Sequence, residues 1–506
     1  MICHHENQPS INVRLEIKNR DMSKPSLEYL FNPKSIAVAG AAPDGATPNL
    51  ARNFVMGLME FGFKGDIYPL HPSGGEALGI KVYTSIKEIQ GPVDYVISAI
   101  PARYTPQLVK DCGAKGVRVV HFFSAGFGEI EDEIGQQLQE KILHIAREAG
   151  IRVVGPNCMG IYCPKTGMTF AREFQGQAGF PRETGSLGLI SQSGGNCILG
   201  IREASARNVF FSKAISYGNA ADLNECDYLE YMTDDPDTKV IAIYIEGVRD
   251  GRRFISTLRK ANVRKPVIIN KAGNSETGKR ACASHTSSIS GSTGIWQELI
   301  KQVGAVQVGS IAELVDVSLT FLKLAVPAGR NIAVIGSGGG VSVQAADDVA
   351  QAGLNLPELP ARVRKELHNI YGTEAGYMFR NPVDMPIWAK VEAVVSTIKI
   401  ISESDTVDAV IMQFPFDLWA MIDQAQARQK FVELVPEVIK VIKKPMVVVL
   451  HNAVTSNSRE RADEVHDKFV EMGLPVYSSI HRAANAMSKC ISYYEDKGII
   501  HHKIKC

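Results

Sequence analysis

Three stretches decide the fold: SIAVAGAAPDG (Ser35–Gly45), SLGLISQSGGN (Ser186–Asn196) and NIAVIGSGGGV (Asn331–Val341). Each passes from an apolar, β-branched run through a glycine-rich turn into a helical pattern. A short apolar run bounded by turn residues suits a strand buried on both faces, as in parallel sheets covered by helices. The starts lie about 150 residues apart, the span of a domain and not of a solenoid repeat. Between them, further strand-like runs alternate with helical patterns, among them DYVISAIP (Asp94–Pro101), RVVHFFSAG (Arg118–Gly126), VIAIYIEG (Val240–Gly247), KPVIINKAG (Lys265–Gly273), AVIMQFPFD (Ala409–Asp417) and KPMVVVLHN (Lys444–Asn452). The expected architecture is α/β. It comprises a disordered leader over 1–27, parallel-sheet units over 28–165, 175–326 and 330–492, and a tail over 493–506.

In such sheets ligands bind beyond the carboxyl ends of the strands, where glycine turns present the free N–H groups of a helix start to anions. None of the three turns completes a nucleotide motif. GAAPDGAT (Gly40–Thr47) has P-loop spacing, but Ala46 stands where the phosphate-binding lysine belongs; GSGGGV (Gly336–Val341) lacks the last glycine of the dinucleotide fingerprint. A dinucleotide-dependent oxidoreductase is therefore disfavoured.

Bulk properties narrow the classes further. The 506 residues are 45% hydrophobic and 22% charged with a net charge of +1, which offers no electrostatic case for nucleic acid or an anionic membrane. No apolar run approaches the roughly 18 residues of a spanning helix. The nine cysteines are scattered, and Cys158 and Cys163 have no second pair, so no metal site is expected; a reduced, cytoplasmic protein fits. One histidine, His285, sits among small residues in KRACASHTSSISGS (Lys279–Ser292). By residue type it is either a solvated loop histidine or a nucleophile that more than one partner must reach.

Taken in order, SIAVAGA, DIYPLHP, AIPA, SAGFGE, GPNCMGI, SQSGG, SYGNAADL, ASHT and NPVD resemble the nucleoside-diphosphate-forming acyl-CoA synthetases, relatives of succinyl-CoA synthetase, over roughly residues 28–490. The resemblance implies a Rossmann-like CoA-binding domain followed by two flavodoxin-like, succinyl-CoA-synthetase-type domains, the first of these carrying a phosphohistidine loop. It implies that Gly40 and Ala41 turn around the CoA pyrophosphate, that Pro101, Ser124, Ala125 and Gly126 line the cofactor, and that Pro156 and Asn157 lie near its thiol. Ser193, Gly194 and Gly195 would hold phosphate, His285 would carry the phosphoryl group, and Glu246 would orient its imidazole. The implied reaction converts acyl-CoA, phosphate and ADP to carboxylic acid, CoA and ATP through an acyl phosphate and phosphohistidine. Since no remaining stretch reads as an ATP-grasp domain, a separate beta-type ATP-grasp subunit binding ATP or ADP with magnesium is expected, in a hetero-oligomer.

The chain departs from the family pattern at Ser287 and Ser288, where glycine and a small apolar residue are usual, and at His71 and Ser73, which replace asparagine and lysine. These departures keep a second reading open: a CoA- or acyl-CoA-binding subunit of another complex, never phosphorylated. Asn381 and Asp384 of NPVD either cap a loop or touch a ligand.

Overall fold

A computed structural model describes residues 27–130, 133–171, 179–286, 292–372, 379–386, 389–414, 433, 436–451 and 456–500. The three glycine turns do head three separate sheets. The first has the spatial order Asp66–Leu70, Ser35–Ala39, Tyr95–Ser98, Val119–Phe122, Arg152–Val154, with every pairing parallel. The second runs Val306–Val308, Val267–Lys271, Val240–Ile245, Thr184–Ser191, Phe211–Ser216, and Gly160–Tyr162 adds an antiparallel strand at its edge. The third runs Val383–Asp384, Ile332–Gly336, Ala409–Phe414, Met446–Leu450, Val476–Tyr477, again wholly parallel. Leaving aside the antiparallel edge strand, each sheet follows the flavodoxin-like order 2-1-3-4-5, so each has its topological switch point between its first and third strands. The repeated architecture thus sets out three equivalent crevices.

The strands are apolar throughout because both faces are covered: every residue of Ser35–Ala39, Ile332–Gly336 and Ala409–Phe414 is buried. The cores run across the units. Ile36, Val38, Phe54 and Tyr95 of the first pack in one cluster with Ile190, Tyr217, Tyr228 and Ile243 of the second. Helix Ile311–Lys323 carries Leu314, Val315 and Leu319 into a cluster with Ile332, Val334, Met487 and Ile491 of the third. Asp316 on that helix is buried, so its charge needs partners. Arg207 Nη1 and Arg482 Nε donate to it at 2.7 and 2.6 Å.

Two contacts cross the expected boundaries. Residues 160–162, at the end of the first unit, pair antiparallel with the second sheet, where Ser216 and Ala214 offer an open strand edge. Residues 493–496 belong to the last helix, Ile480–Asp496, and not to a tail: Tyr493 is buried and donates its hydroxyl to Asn262 O at 3.2 Å.

His121, on the fourth strand of the first sheet, is buried where the first two units meet and donates Nε2–H to Cys158 O at 3.0 Å. Burial pulls its pKa down to about 4, against the partial opposition of that hydrogen bond. A histidine that titrates near 6.5 when unfolded and about 4 when folded takes up its proton more readily unfolded. Its contribution is therefore present above pH 6.5 and lost as pH falls toward 4, on the order of 3 kcal/mol. Urea midpoints measured across that window should fall more steeply for the native chain than for His121→Gln, which has nothing to titrate there.

Candidate active site

At the first crevice, Gly40 adopts φ +101°, and an added Cβ would lie 2.9 Å from Ala99 O. Only glycine lets the chain turn this tightly against the neighbouring strand. Asn49 caps helix Leu50–Phe61, accepting from Arg52 N–H at 3.0 Å, and returns its Nδ2 to Gly40 O at 2.8 Å. Arg52 reaches back to Asp44 at 2.5 Å and holds that carboxyl below the usual range. The turn after Gly40 is thus shaped by Asn49 and Arg52, which sequence reasoning did not single out. Ala41 is buried, so only its backbone can serve a ligand, whereas Pro101 and Ala125 are exposed at the opposite lip. Ser124 Oγ donates to Ile100 O at 2.7 Å and ties the two loops of that lip together. The departure at His71 and Ser73 is a local turn, with Ser73 N–H donating to His71 Nδ1 at 3.2 Å.

The first crevice is joined to the second through GPN and GNA. Asn157 N–H donates to Ser124 O at 3.2 Å, while Asn219 and Ala221 donate their N–H groups to Pro156 O and Gly155 O at 2.9 and 3.0 Å. Pro156 is buried in this seam and Asn157 is half-buried at the rim. Glu129 accepts from Gly126 N–H at 2.5 Å and from the Asn219 side chain, and Arg249 donates to Asn219 O at 2.9 Å. Glu129 and Asn219 were present in the quoted SAGFGE and SYGNAADL, but nothing in either motif says that they pair. Gly218 has φ +53°, and a Cβ there would lie 2.2 Å from Pro156 O and 2.3 Å from Asn157 O. Gly218→Ala should push the rim loop outward, and a thermal melt should show a lowered Tm.

At the second crevice Ser193 caps helix Gly194–Ser205, accepting from Asn196 N–H at 3.3 Å, so the N–H groups of Gly194 and Gly195 open the helix. Opposite, at the end of Val240–Ile245, stands Glu246, which is 5% exposed. Gln192 spans the gap: its Oε1 accepts from Glu246 N–H at 2.8 Å and Gly247 N–H at 3.3 Å, while its own N–H donates to Tyr244 O at 3.0 Å. Tyr244 Oη donates to Glu246 Oε1 at 3.4 Å, and burial followed by the Glu246 charge raises the tyrosine's pKa. The structure therefore brings Ser193, Gly194, Gly195 and Glu246 to one switch point. Gln192, the residue that sets their register, lies inside SQSGG, but the sequence could not show what its amide reaches.

The backbone of His285 differs from the expected loop. It lies in the last turn of helix Glu276–Thr286, where Lys279, Arg280, Ala281 and Ala283 favour helix. The His285 side chain, Ser287 and Ser288 fall outside the described residues. One turn earlier, Cys282 is buried, its pKa raised by burial and then by the nearby Glu246 carboxylate. Lys271, at the adjacent strand end, is also buried, and burial lowers its pKa. In the third unit Asn381 is structural: its Nδ2 donates to Ile332 O and Pro357 O at 2.7 and 3.1 Å, and its Oδ1 accepts from Val334 N–H at 3.0 Å. Asp384 Oδ1 accepts from Gly338 N–H at 2.7 Å.

A glycine turn that opens a helix beside a buried glutamate, joined through one seam to a separate parallel-sheet crevice, suits an enzyme that works between two ligand sites. Residues 34–164 match the family model described as a CoA binding domain, and residues 184–321 match the succinyl-CoA ligase like flavodoxin domain. The class is thus a CoA ligase. The alpha subunit of ADP-forming acetate–CoA ligase I of Pyrococcus furiosus is 34% identical, over 92% of this chain and 96% of its own length. A 4-hydroxybutyrate–CoA ligase (ADP-forming) of Nitrosopumilus maritimus is 30% identical over 70% of this chain and 50% of its own. Among solved structures, the dinucleotide forming acetyl-coenzyme A synthetase 1 of Candidatus Korarchaeum cryptofilum, in complex with phosphate and ADP, superposes with a TM-score of 0.79 at 28% identity, covering 95% of this chain and 99% of that one. The chain belongs to the ADP-forming acyl-CoA ligase family, with the architecture of its alpha subunits, and is an acid–thiol ligase.

Proposed function

We propose that the first crevice, from Gly40 and Ala41 across to Pro101, Ser124, Ala125 and Gly126, holds the CoA diphosphate and that the Pro156–Asn157 rim receives its thiol end. Inorganic phosphate then attacks the thioester carbonyl, giving an acyl phosphate and CoA, with the thiolate taking up a proton. His285 attacks the phosphorus of the acyl phosphate, forming the N–P bond and releasing the carboxylate. Phosphohistidine finally passes the group to ADP.

One observation carries this reading: the Gln192 amide accepts from the backbone of Glu246 and Gly247, which fixes that carboxylate across from the helix start at Ser193. A helix N-terminus stabilises an anion by ~0.3–1 kcal/mol, more when partly buried. A carboxylate on one imidazole nitrogen selects the tautomer whose other nitrogen attacks. The nearness of Cys282 to Glu246 supports the role given to His285, three residues further along the same helix. Glu246→Gln keeps the size and removes the charge. Labelling of the chain from acyl-CoA and radioactive phosphate is expected to slow by roughly 10- to 100-fold while CoA affinity stays the same. Equal rates in the two proteins would remove Glu246 from the mechanism.

The partner is proposed to be a beta-type ATP-grasp subunit that supplies the ADP site and its magnesium, in a hetero-oligomer. Support comes from relatives named as alpha subunits and matched over nearly their full length. No described helix is long and apolar enough to cross a membrane. The buried cysteines are free thiols, which supports a reducing, cytoplasmic setting.

A further inference from the structure

The strand beside Glu246 ends in a buried lysine. Lys271 closes Val267–Lys271 and pairs with Ile245, the residue before Glu246, and Ala272 N–H donates to Ile245 O at 2.9 Å. Asn274 Nδ2 donates to Lys271 O at 2.7 Å, and Thr293 Oγ1 donates to Asn274 O at 2.8 Å. Asn274 and Thr293 flank the segment that carries His285, so the neck of that segment is fastened to the end of this strand.

Lys271 is 1% exposed. Its ammonium donates to Ala272 O and lies 5.3 Å from the centre of the Trp296 ring, itself buried on helix Thr293–Val303. A carbonyl and a ring face replace only part of the water that an ammonium gives up on burial. Methionine would fill the same space against the indole without that cost, so packing does not account for a lysine here.

Charge does. Burial lowers the lysine's pKa; the Cys282 thiol and the Glu246 carboxylate oppose that shift, and Lys279, on the helix that carries His285, adds to it. A buried cation, a buried carboxylate and a buried thiol thus meet beneath one helix. Tyr244 and Tyr217 also face Glu246, and burial above all raises the pKa of both, so neither carries charge near neutral pH. Beyond Tyr217 lies Glu225, which burial pushes up to about 7.

We propose that Lys271 is a positioning residue for phosphoryl transfer: its ammonium keeps the Glu246 carboxylate charged, and so able to hold the imidazole of His285 for attack. The imidazole gains positive charge as its nitrogen bonds to phosphorus, and only an ionised carboxylate stabilises that charge. This rests on the roles given above to His285 and Glu246.

The test follows initial rates of labelling of the full chain by radioactive phosphate and either acetyl-CoA or butyryl-CoA, whichever labels the native chain faster. Each variant is expressed as a ratio to the native rate at the same pH, so that Glu225 and His285, which titrate in all of them, cancel. Lys271→Met should label tenfold or more slowly at about pH 6 and come within about threefold of the native rate at about pH 9, because a buried carboxylate without its cation holds a proton to higher pH. Lys271→Arg keeps the charge and should follow the native profile. In a Glu246→Gln background no carboxylate remains to be held charged, so adding Lys271→Met should change the rate by one factor at every pH. If methionine lowers the Tm or weakens CoA binding, Lys271→Gln serves the same comparison, and loss of folding in both would make the lysine structural and overturn the proposal. A deficit in Lys271→Met that is the same at every pH, with Glu246→Gln slow, would overturn this proposal alone. Glu246→Gln as fast as the native chain would remove the glutamate and the lysine together, and a native chain that takes no label would overturn the histidine reading as well.

Discussion

His285→Asn is expected to take up no label when incubated with acyl-CoA and radioactive inorganic phosphate, a loss of about 10³-fold or more, while it binds CoA as the native chain does. Asparagine keeps a polar side chain of similar reach but has no ring nitrogen to attack phosphorus. In the native chain the label should be lost in acid and kept in alkali, because a phosphoramidate hydrolyses once its nitrogen is protonated. Both half-steps that lead to it are proposed to use only the CoA and histidine sites, so label should appear without the partner. A native chain that stays unlabelled even with partner and nucleotide present would return His285 to the role of a solvated histidine. Ser287→Gly addresses the family departure beside it: faster labelling would mean that serine restrains a backbone turn glycine would make freely.

The second large effect concerns the partner. Supplied with acid, CoA and ATP, the chain alone should form no acyl-CoA above background, and addition of a beta-type ATP-grasp subunit should restore steady turnover. The expectation follows from the proposed division of labour, in which phosphohistidine exchanges its phosphoryl group with a nucleotide held by the other subunit. Steady synthesis by the single chain would place a nucleotide site on it and overturn that division. Labelling without turnover, and turnover only with the partner, would together locate the transfer between subunits.

Much of the architecture was legible in the sequence because burial on both faces leaves a plain mark. The runs IAVA, LGLI and IAVI, each leading within a few residues into a glycine turn, could only be buried strands, and the structure has a parallel sheet at each. Ser193, Gly194 and Gly195 were legible as a helix start for the same local reason. The boundaries were harder. Gly160–Tyr162 reads locally as the end of the first unit, yet it pairs with Phe211–Ser216, and the free edge that attracts it lies about 50 residues downstream. His285 read as a loop residue because ASHTSS is small and polar; the helix that reaches it is favoured by the residues that precede it.

By itself, then, the sequence determined the three α/β units, their glycine turns and the residue types able to bind anions, since these depend on backbone conformation and hydrophobic period within a few residues. Only the tertiary structure decided which of those residues face one another. Gln192 meets Glu246, Asn219 meets Glu129, and Gln413 crosses Gly336 because parallel strands distant in sequence end side by side. Such pairings are long-range consequences of sheet order, and the residue types along any one strand carry no record of which neighbour the sheet will place beside it.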